Sequence, residues 1–371
     1  MNRKKIGRAL GNAALLLLLV SLTLTAGCGE SSKLTGTDGT PVKGAKLRWG
    51  AFFGSPFGMK FTTPEHLGVH RAAREINGML YTCRGGFIDV GHVREAADRT
   101  AFIKNVVYQN LINHNTEFSF NVIEPSRYYI TIAYPANWEN FSQSEREVTA
   151  NEIAIDIGQY LAHTSMVWHE IITWYGFATV GIFPDTISAF SWEDPYSDVL
   201  GTWLGAAALR DVGQKYNDAM TSLLNEEMKE LGVQPAAVAR QARKMIQGKW
   251  YTGGGYFFVK MRNHNFDVGY DDGMVSPLLV PGICDNAQAK LYPAPKLELV
   301  WKHGFGFNVE IEPRVMQKDK IYSCVGLDSN RRICPNIYFT RIIEQLKNDT
   351  AIAYEAKLKG EEGNAELSRK R

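Results

Sequence analysis

Apolar positions in the first half of the chain repeat mainly with helical spacing, while one region alternates as a strand does. The helical repeat predicts amphipathic helices, and a capping box at Ser144–Glu147 marks the start of the longest one. The predicted helices are Pro64 to Asn77, Val90 to Ile112, Ser144 to about Trp174, Pro195 to about Arg210, Gln214 to Leu231 and Gln234 to Gln247. Glu117 to Ile123 and Arg127 to Tyr134 alternate on either side of a turn at Glu124–Ser126, which predicts a β-hairpin.

The pattern changes beyond Trp250, where short runs of β-forming residues lie among glycines and prolines. The predicted strands are Tyr256 to Met261, Val275 to Val280, Leu297 to Trp301 and Phe307 to Ile311. We therefore expect an α+β fold, with a helix-rich half that carries a small hairpin or sheet, followed by a β-rich half. The expected boundaries are a leader at 1–27, a tether at 28–46, a candidate catalytic half at 47–249, the β-rich half at 250–350 and a frayed charged tail at 351–371.

The N-terminus resembles a bacterial lipoprotein signal. Basic residues from Arg3 to Arg8 precede an apolar run from Ala13 to Val20, which is too short for a stable membrane span. Small residues then lead to Cys28, so the resemblance implies cleavage before this cysteine and its acylation. Gly29 replaces the aspartate typical of inner-membrane retention. We therefore expect a lipid-anchored protein on the periplasmic face of the outer membrane.

Net charge and cysteine content limit which binding partners and which disulfide bonds are expected. A formal net charge of +2 gives no reason to expect nucleic acid as a partner. The expected partners are outer-membrane lipid, through acylated Cys28, and an envelope substrate of unknown chemistry. The envelope permits disulfides, and the four remaining cysteines can pair in three ways. Cys324 and Cys334 flank a turn-like stretch, which predicts that they pair, while Cys83 either pairs with Cys284 or stays a free thiol.

A line of polar residues follows one side of the long helix that is predicted to end near Trp174. The line contains Asp156, Gln159, His163 and Glu170, with His169 beside it and Thr173 one turn beyond His169. At helical spacing the first four of these side chains share about one quarter of the helix circumference. Buried polar groups need partners, so the line indicates a metal site, a substrate cavity or a purely structural network in which His169 caps a carbonyl.

The segment His169–Thr173 (His-Glu-Ile-Ile-Thr) resembles the helix of zinc metallopeptidases. In that helix two histidines stand four residues apart on one face, and the glutamate after the first serves as general base. The resemblance implies zinc as the cofactor, His169 as a ligand and Glu170 as the base. Here Thr173 stands in place of the second histidine, so one metal ligand is missing. Thr173 is expected to support the ligands without binding the metal itself.

The next predicted helix strengthens the likeness. Its start, Glu193-Asp194-Pro195-Tyr196-Ser197-Asp198, resembles the ligand helix of the thermolysin-type (gluzincin) family, and the likeness covers about Val90 to Leu209. The resemblance implies that Glu193 or Asp194 is the acidic ligand. It also implies that Asp198 orients a ligand histidine by accepting a hydrogen bond from the ring N–H that does not face the metal. The helix-rich half is accordingly expected to be zincin-like.

His92 is available as the replacement ligand, because it follows a glycine-rich turn near a helix start. Asp89 either accepts the ring N–H of His92, binds the metal directly, or is an ordinary N-cap. His163 is the other candidate, because it stands in line with Glu170. The candidate metal ligands are therefore His169, His92 or His163, and Glu193 or Asp194.

The lipoprotein signal together with Gly-Gly-Phe-Ile-Asp, Gly-His-Val-Arg, Trp-His-Glu-Ile and Tyr-Ser-Asp-Val-Leu-Gly resembles a bacterial lipoprotein family known as domain of unknown function 4056. This likeness implies a location but no reaction. The working hypothesis is a metal-dependent hydrolase of an envelope peptide, amide or ester bond, with Glu170 as general base. Two alternatives stay open: a thiol amidase or acyltransferase built on Cys83 and His92, and a non-catalytic protein that binds an envelope component.

Overall fold

Three helices form the centre of the fold: α1 (Val90–Ile112), α2 (Gln143–Trp174) and α3 (Asp194–Arg210), with α1 packed against both of the others. The structure is a computed structural model that describes residues 61–71, 74–177, 188–253, 260–328 and 331–369. The predicted leader at 1–27, Cys28 and the tether at 28–46 lie outside these residues. The further helices of the described part are α4 (Tyr216–Glu230), α5 (Ala236–Ile246), α6 (Glu298–Lys302), α7 (Lys318–Val325) and α8 (Pro335–Arg369).

Small antiparallel sheets complete the α+β fold that the sequence predicts. The strands are β1 (Met79–Thr82), β2 (Gly86–Asp89), β3 (Glu117–Asn121), β4 (Ser126–Ala133), β5 (Val233–Gln234), β6 (Tyr251–Thr252), β7 (Lys260–Met261), β8 (Met274–Val275), β9 (Tyr292–Pro293) and β10 (Gly306–Pro313). They pair in the orders β2-β1-β5, β10-β4-β3, β6-β7 and β8-β9. The predicted hairpin is confirmed as β3 and β4, with Phe118 opposite Ile130.

Side-chain caps fix where α1 and α2 begin. The α1 bounds agree with the prediction, and Asp89 is its N-cap, since its side chain accepts from the backbone N–H groups of Gly91 and His92. The capping box of α2 lies two residues before the predicted one, because the Ser-x-x-Glu pattern occurs twice in succession. The box that forms joins Ser142 and Glu145, whose backbone and side-chain groups bond reciprocally.

Glycines allow α1 to approach α2 and α3 closely. A Cβ atom added at Gly201 of α3 would lie 2.3 Å from the carbonyl oxygen of Val93, and one at Gly205 would lie 2.8 Å from the Cα of Ala97. On α2, a Cβ at Gly158 would lie 2.9 Å from the carbonyl oxygen of Thr100. These contacts are shorter than any side chain tolerates, so the helix backbones touch at both crossings. The close approach brings the polar ends of the three helices together.

The predicted helix at Pro64–Asn77 is wrong beyond its first turn. Among the described residues of this range, only Pro64–His66 is helical, as a short 3₁₀ turn. Gly68 has φ +67°, and a Cβ there would lie 2.3 Å from the carbonyl oxygen of Arg74. The chain therefore reverses at a position that only glycine fits, which a helical apolar repeat does not reveal.

The second half contains less strand than its composition suggests. Leu297 to Trp301 was expected to be a strand, but Glu298–Lys302 forms α6, because a short apolar run fits a buried helix as well as a strand. Within the described residues of this half, four of the five strands have two residues each, and only β10 is long. Most of the predicted strand Tyr256 to Met261 lies outside the described residues. The charged tail, predicted to be frayed, continues as helix α8 to Arg369. None of the described helices combines the length and apolar character needed to cross a membrane.

One disulfide joins Cys83 to Cys284. The predicted pair Cys324–Cys334 is wrong, since both cysteines are free. They face different elements: the Cys324 thiol contacts the Tyr175 hydroxyl, and the Cys334 thiol lies 4.0 Å from the side-chain oxygen of Asn308 on β10.

We expect Gly201→Ala to lower the free energy of unfolding by about 1–3 kcal/mol, because the added methyl group would overlap the Val93 backbone. The matched control is Gly213→Ala, in the exposed connection after α3, where the nearest atom to an added Cβ is a side-chain oxygen of Asp211 at 3.3 Å. Urea denaturation of the two variants measures the difference. Equal losses of stability would contradict the close crossing of α1 and α3.

Candidate functional site

Asp89 links the starts of α1 and α3 and is completely buried. Its Oδ1 accepts the backbone N–H groups of Gly91 at 2.7 Å and His92 at 3.4 Å. Its own backbone N–H donates to the Ser197 hydroxyl at 3.0 Å. Burial raises the pKa of Asp89 to about 7, with a further rise from Asp194 and an opposing effect of His92. Asp89 is thus the N-cap, one of the three roles that the sequence left open.

The His92 ring faces two carboxylates of α3. Its Nδ1 lies 3.3 Å from Oδ1 of Asp198 and 3.5 Å from Oδ1 of Asp194. Asp194 and Asp198 are one turn apart and therefore share a face of α3. Burial alone would lower the pKa of His92, but Asp194, Asp198 and Asp89 together raise it well above its ordinary value. Asp198 therefore holds the ring through Nδ1.

The His169 ring lies against a carboxylate of the β3–β4 turn. Its Nδ1 lies 2.9 Å from Oε1 of Glu124, which is buried. Burial would raise the pKa of Glu124, but Arg99 and His169 lower it to about 2. Burial would lower the pKa of His169, but the hydrogen bond and charge of Glu124, with Glu170 and Glu95, raise it to about 9. The pair is a buried imidazolium–carboxylate contact.

Arg99 and Glu95 connect the two imidazoles along α1. Arg99 donates to Glu124 at 3.0 Å and to Glu95 at 2.6 Å. Glu95 is one turn after His92, so the two share a face of α1. Its negative charge raises the pKa of both His169 and Asp198. Glu95 therefore acts electrostatically on both imidazole–carboxylate pairs.

The two histidines share one arrangement. Each ring has an oxygen of a buried carboxylate within 3.3 Å of Nδ1, and each side chain is partly open to solvent, 19% for His92 and 24% for His169. Within the described residues no group hydrogen-bonds to Nε2 of either ring. Two oriented imidazoles with a free Nε2 are thus available to a ligand.

Glu170 and Glu193 lie in the dry interior beside these pairs. Oε2 of Glu170 accepts the backbone N–H of Phe190 at 2.5 Å. Burial raises the pKa of Glu170 to about 8, with a further rise from Asp194 and Asp198 and an opposing effect of His169. Burial, Asp194 and Asp89 also raise the pKa of Glu193 well above its usual range.

The polar side chains predicted to form one line on α2 contact different parts of the fold. Asp156 accepts the backbone N–H of Leu299 at 3.1 Å. His163 pairs through Nε2 with the carbonyl oxygen of Val268 at 3.0 Å, and burial lowers its pKa to about 4. His163 is therefore not brought to the other histidines. Thr173 is buried, and its hydroxyl has no hydrogen-bond partner among the described residues.

The structure brings His92, Asp194 and Asp198 together, with Asp89 and Glu193 adjoining them. In the described ranges, however, no three His, Cys, Asp or Glu side chains already stand as a set that would hold a metal ion. The thiol alternative fails, because Cys83 forms a disulfide with Cys284 and has no thiol to offer His92.

Sequence reasoning missed Glu95, Arg99 and Glu124. The first two carry a signal, since they follow His92 at spacings of three and seven residues and so extend its helix face. Glu124 carries none, because the pattern Glu124-Pro125-Ser126 indicates a turn and does not reveal where its carboxylate points.

The stability that His169 contributes should fade at alkaline pH. Its pKa is about 9 in the folded chain against an ordinary 6.5, so the contribution is complete below pH 6.5 and is lost as the pH rises through 9. We expect His169→Gln to lower the free energy of unfolding by about 3 kcal/mol at pH 6 and by much less at pH 9.5. Urea denaturation in the presence of a chelator measures both values.

The control is the same substitution in a Glu124→Gln background. Because Glu124 supplies most of the attraction, His169→Gln should there show a much smaller pH-dependent difference. An equal loss at pH 6 and pH 9.5 in the parent chain would contradict the buried ion pair.

Residues 58–260, more than half of the 371-residue chain, match a protein family described as protein of unknown function (DUF4056). The matched range contains His92, Glu95, Glu124, His169 and Asp198. No curated protein and no solved structure matches the chain. The chain belongs to the DUF4056 family of proteins of unknown function.

Proposed function

We propose that this chain is a zinc-dependent hydrolase of a peptide, amide or ester bond in the bacterial envelope, with His92 and His169 as metal ligands. The observation that carries the proposal is that a buried carboxylate lies beside Nδ1 of each of the two imidazoles. Metal-binding histidines usually donate the ring N–H that does not face the metal to a carboxylate, which fixes the tautomer and the ring direction. Asp198 and Glu124 are placed to do this for His92 and His169.

Glu95 is the best candidate for the third ligand. Of the two acidic residues that the zincin resemblance favours, Glu193 and Asp194, Asp194 approaches His92 from its Nδ1 side. Glu95 instead shares the face of α1 that carries His92, and Arg99 engages its Oε1. Two histidines and one glutamate form the ligand set of thermolysin-type centres. In this proposal the same ligand types come from α1 and α2 in a different order.

Glu170 is the proposed general base. A zinc ion at the two histidines would polarise the carbonyl group of the bond to be cleaved. With a pKa near 8, Glu170 can take and return a proton close to neutral pH, which is what a general acid–base group requires. The Phe190 N–H fixes one of its oxygens, so the carboxyl group is held in one orientation.

The decisive measurement is the zinc content of the purified full chain. We expect about one zinc per chain, lost in His92→Ala and in His169→Ala, because catalytic zinc sites rarely survive the loss of a ligand. His303→Ala is the control: this partly exposed histidine pairs with Glu152 on a different part of α2. A parent chain without zinc, or histidine variants that retain it, would rule out the centre and leave a non-catalytic binding protein.

The substitution Glu170→Gln tests the general-base role independently of metal binding. We expect this variant to keep its zinc and to lose hydrolysis by about 100-fold or more, because general base catalysis typically contributes 10²–10⁴. The assay compares parent and variant on a panel of envelope-type peptide, amide and ester substrates. Full activity without the carboxylate would remove Glu170 from the reaction.

We also propose that acylated Cys28 anchors the chain in the outer membrane, facing the periplasm. The basic start, the apolar run and the small residues before Cys28 support this proposal. In cells fed labelled palmitate, the parent chain should carry label and fractionate with the outer membrane, whereas Cys28→Ser should do neither. Cys334→Ser, which changes a free cysteine of the folded body, is the control. Membrane retention of unlabelled Cys28→Ser would exclude the lipid anchor.

A further inference from the structure

One stretch of the chain outside the candidate site carries positive charge and no acidic residue. From Leu231 to Phe266 the sequence contains six lysines and arginines and no aspartate or glutamate, although the whole chain has a net charge of only +2. This stretch contains α5 and the connection that follows it. Positive charge is therefore concentrated on one element of the fold.

Helix α5 has an apolar side that the core covers. Ala239, Ala242 and Ile246 are buried in one hydrophobic cluster with Met79 and Tyr81 of β1. These three positions follow the helical repeat, so they share one side of α5. This side is used for packing and is closed to any other partner.

The other side of α5 carries the cations. Arg240 and Lys244 are exposed and stand one turn apart, so their side chains lie on the same face. Lys249, in the connection after the helix, is also exposed, and Arg243 lies at the margin, with its guanidinium carbon 5.6 Å from the centre of the Tyr251 ring. These cations are called the basic face: Arg240, Arg243, Lys244 and Lys249.

The exposed cations of the basic face have no acidic partner. In the part of the chain that the structure describes, no salt bridge includes Arg240, Lys244 or Lys249. Lys290, by contrast, pairs with two glutamates of α4. The charge of the basic face is therefore available to an anionic partner.

Two large side chains next to these cations add apolar surface. Met245 is 37% exposed and directly follows Lys244. Trp250 is partly exposed and packs on Trp192, with 6.0 Å between the ring centres. Tryptophan is enriched where a membrane meets water, because its ring is apolar and its N–H is polar. Basic residues with such neighbours are typical of surfaces that lie on a membrane.

The start of the described chain lies on the same part of the molecule. Phe61, the first described residue, packs against the same cluster as Val238 of α5 and Trp250. The chain that leads from Cys28 therefore joins the described body beside α5. With Cys28 acylated as proposed, the anionic surface within reach of the basic face is a lipid bilayer.

We propose that the basic face docks onto the phosphate headgroups of an anionic phospholipid bilayer. Because the core covers the apolar side of α5, the helix does not insert, and attraction between the cations and the phosphates holds the body at the surface. This inference goes beyond the proposed hydrolase. It rests on the proposed acyl anchor only for the choice of a bilayer, and the docking itself needs no acyl group.

Vesicle binding of the unacylated chain tests the docking. The chain from Gly29 to Arg371 contains every residue that the structure describes and lacks both the leader and Cys28. We expect it to sediment with vesicles of phosphatidylcholine mixed with phosphatidylglycerol, but not with phosphatidylcholine alone. Added salt should release it, because salt screens exposed charges.

The double variant Arg240→Gln, Lys244→Gln should bind the anionic vesicles about 30-fold more weakly, since each cation near an anionic surface contributes about a factor of five. Glutamine is a good helix former, so α5 is kept. The matched control is Lys320→Gln, Lys347→Gln, which removes the same charge from exposed positions of α7 and α8 and should bind like the parent.

Two results would overturn the proposal. Equal losses in the two double variants would mean that the vesicles respond to net charge alone. A parent chain that does not bind anionic vesicles would exclude a membrane partner, and binding to a soluble polyphosphate instead would assign the basic face to a polyanion.

Zinc analysis separates this inference from the proposed hydrolase. Arg240 and Lys244 lie outside the histidine centre, so their double variant should keep the zinc content and hydrolysis of the parent. Vesicle binding by a chain without zinc would refute only the hydrolase. A chain that holds zinc and does not bind the vesicles would refute only the docking.

Discussion

The structure depends on the backbone contact of α1 with α2 and α3. Gly158, Gly201 and Gly205 remove the side chains that would separate these helices. The helix starts and polar faces therefore meet in an interior from which water is largely excluded. In such surroundings every carboxylate must find a cation, a donor or a proton. The composition of the site follows from that requirement.

The interior meets the requirement in two different ways. Around Glu124, Arg99 and His169 supply positive charge directly, and the pKa of this carboxyl group falls to about 2. Around Glu170 the near charges are mainly carboxylates, and its pKa rises to about 8. Both side chains are buried, so burial does not explain the difference. The difference lies in Arg99 of α1. Glu124, which contacts Arg99, stays ionised at neutral pH, whereas Glu170, which has no such contact, can exchange a proton.

Local signals in the sequence were sufficient for elements whose ends are set by their own residues. The helical repeat of Val90 to Ile112 and the alternation around Glu124–Ser126 predicted α1 and the β3–β4 hairpin, and both are confirmed. Short apolar runs such as Leu297–Trp301 were not sufficient, because burial on all sides makes strand and helix indistinguishable in pattern. The disulfide also depended on long-range geometry, since Cys83 and Cys284 are 201 residues apart.

The candidate site shows the same division. His92 could be named from its place after a glycine-rich turn, and Asp194 and Asp198 from the resemblance to the zincin ligand helix. Their contact could not be derived from spacing alone, since it requires the crossing of α1 and α3. Glu124 reaches His169 from a β-turn, and no periodicity in either segment relates them. Contacts within one helix were predictable, and contacts between elements needed the fold.

The missing second histidine of the zincin-like helix has a physical explanation in the exposure along α2. The His169 side chain is 24% exposed, whereas Thr173, one turn later, is 2% exposed. A metal ligand at position 173 would therefore face the packed interior, not the open side of His169. The free Nε2 of His92 on α1 lies at a partly exposed surface instead. In the proposed centre, the second imidazole therefore comes from the neighbouring helix α1, because the next turn of α2 is buried.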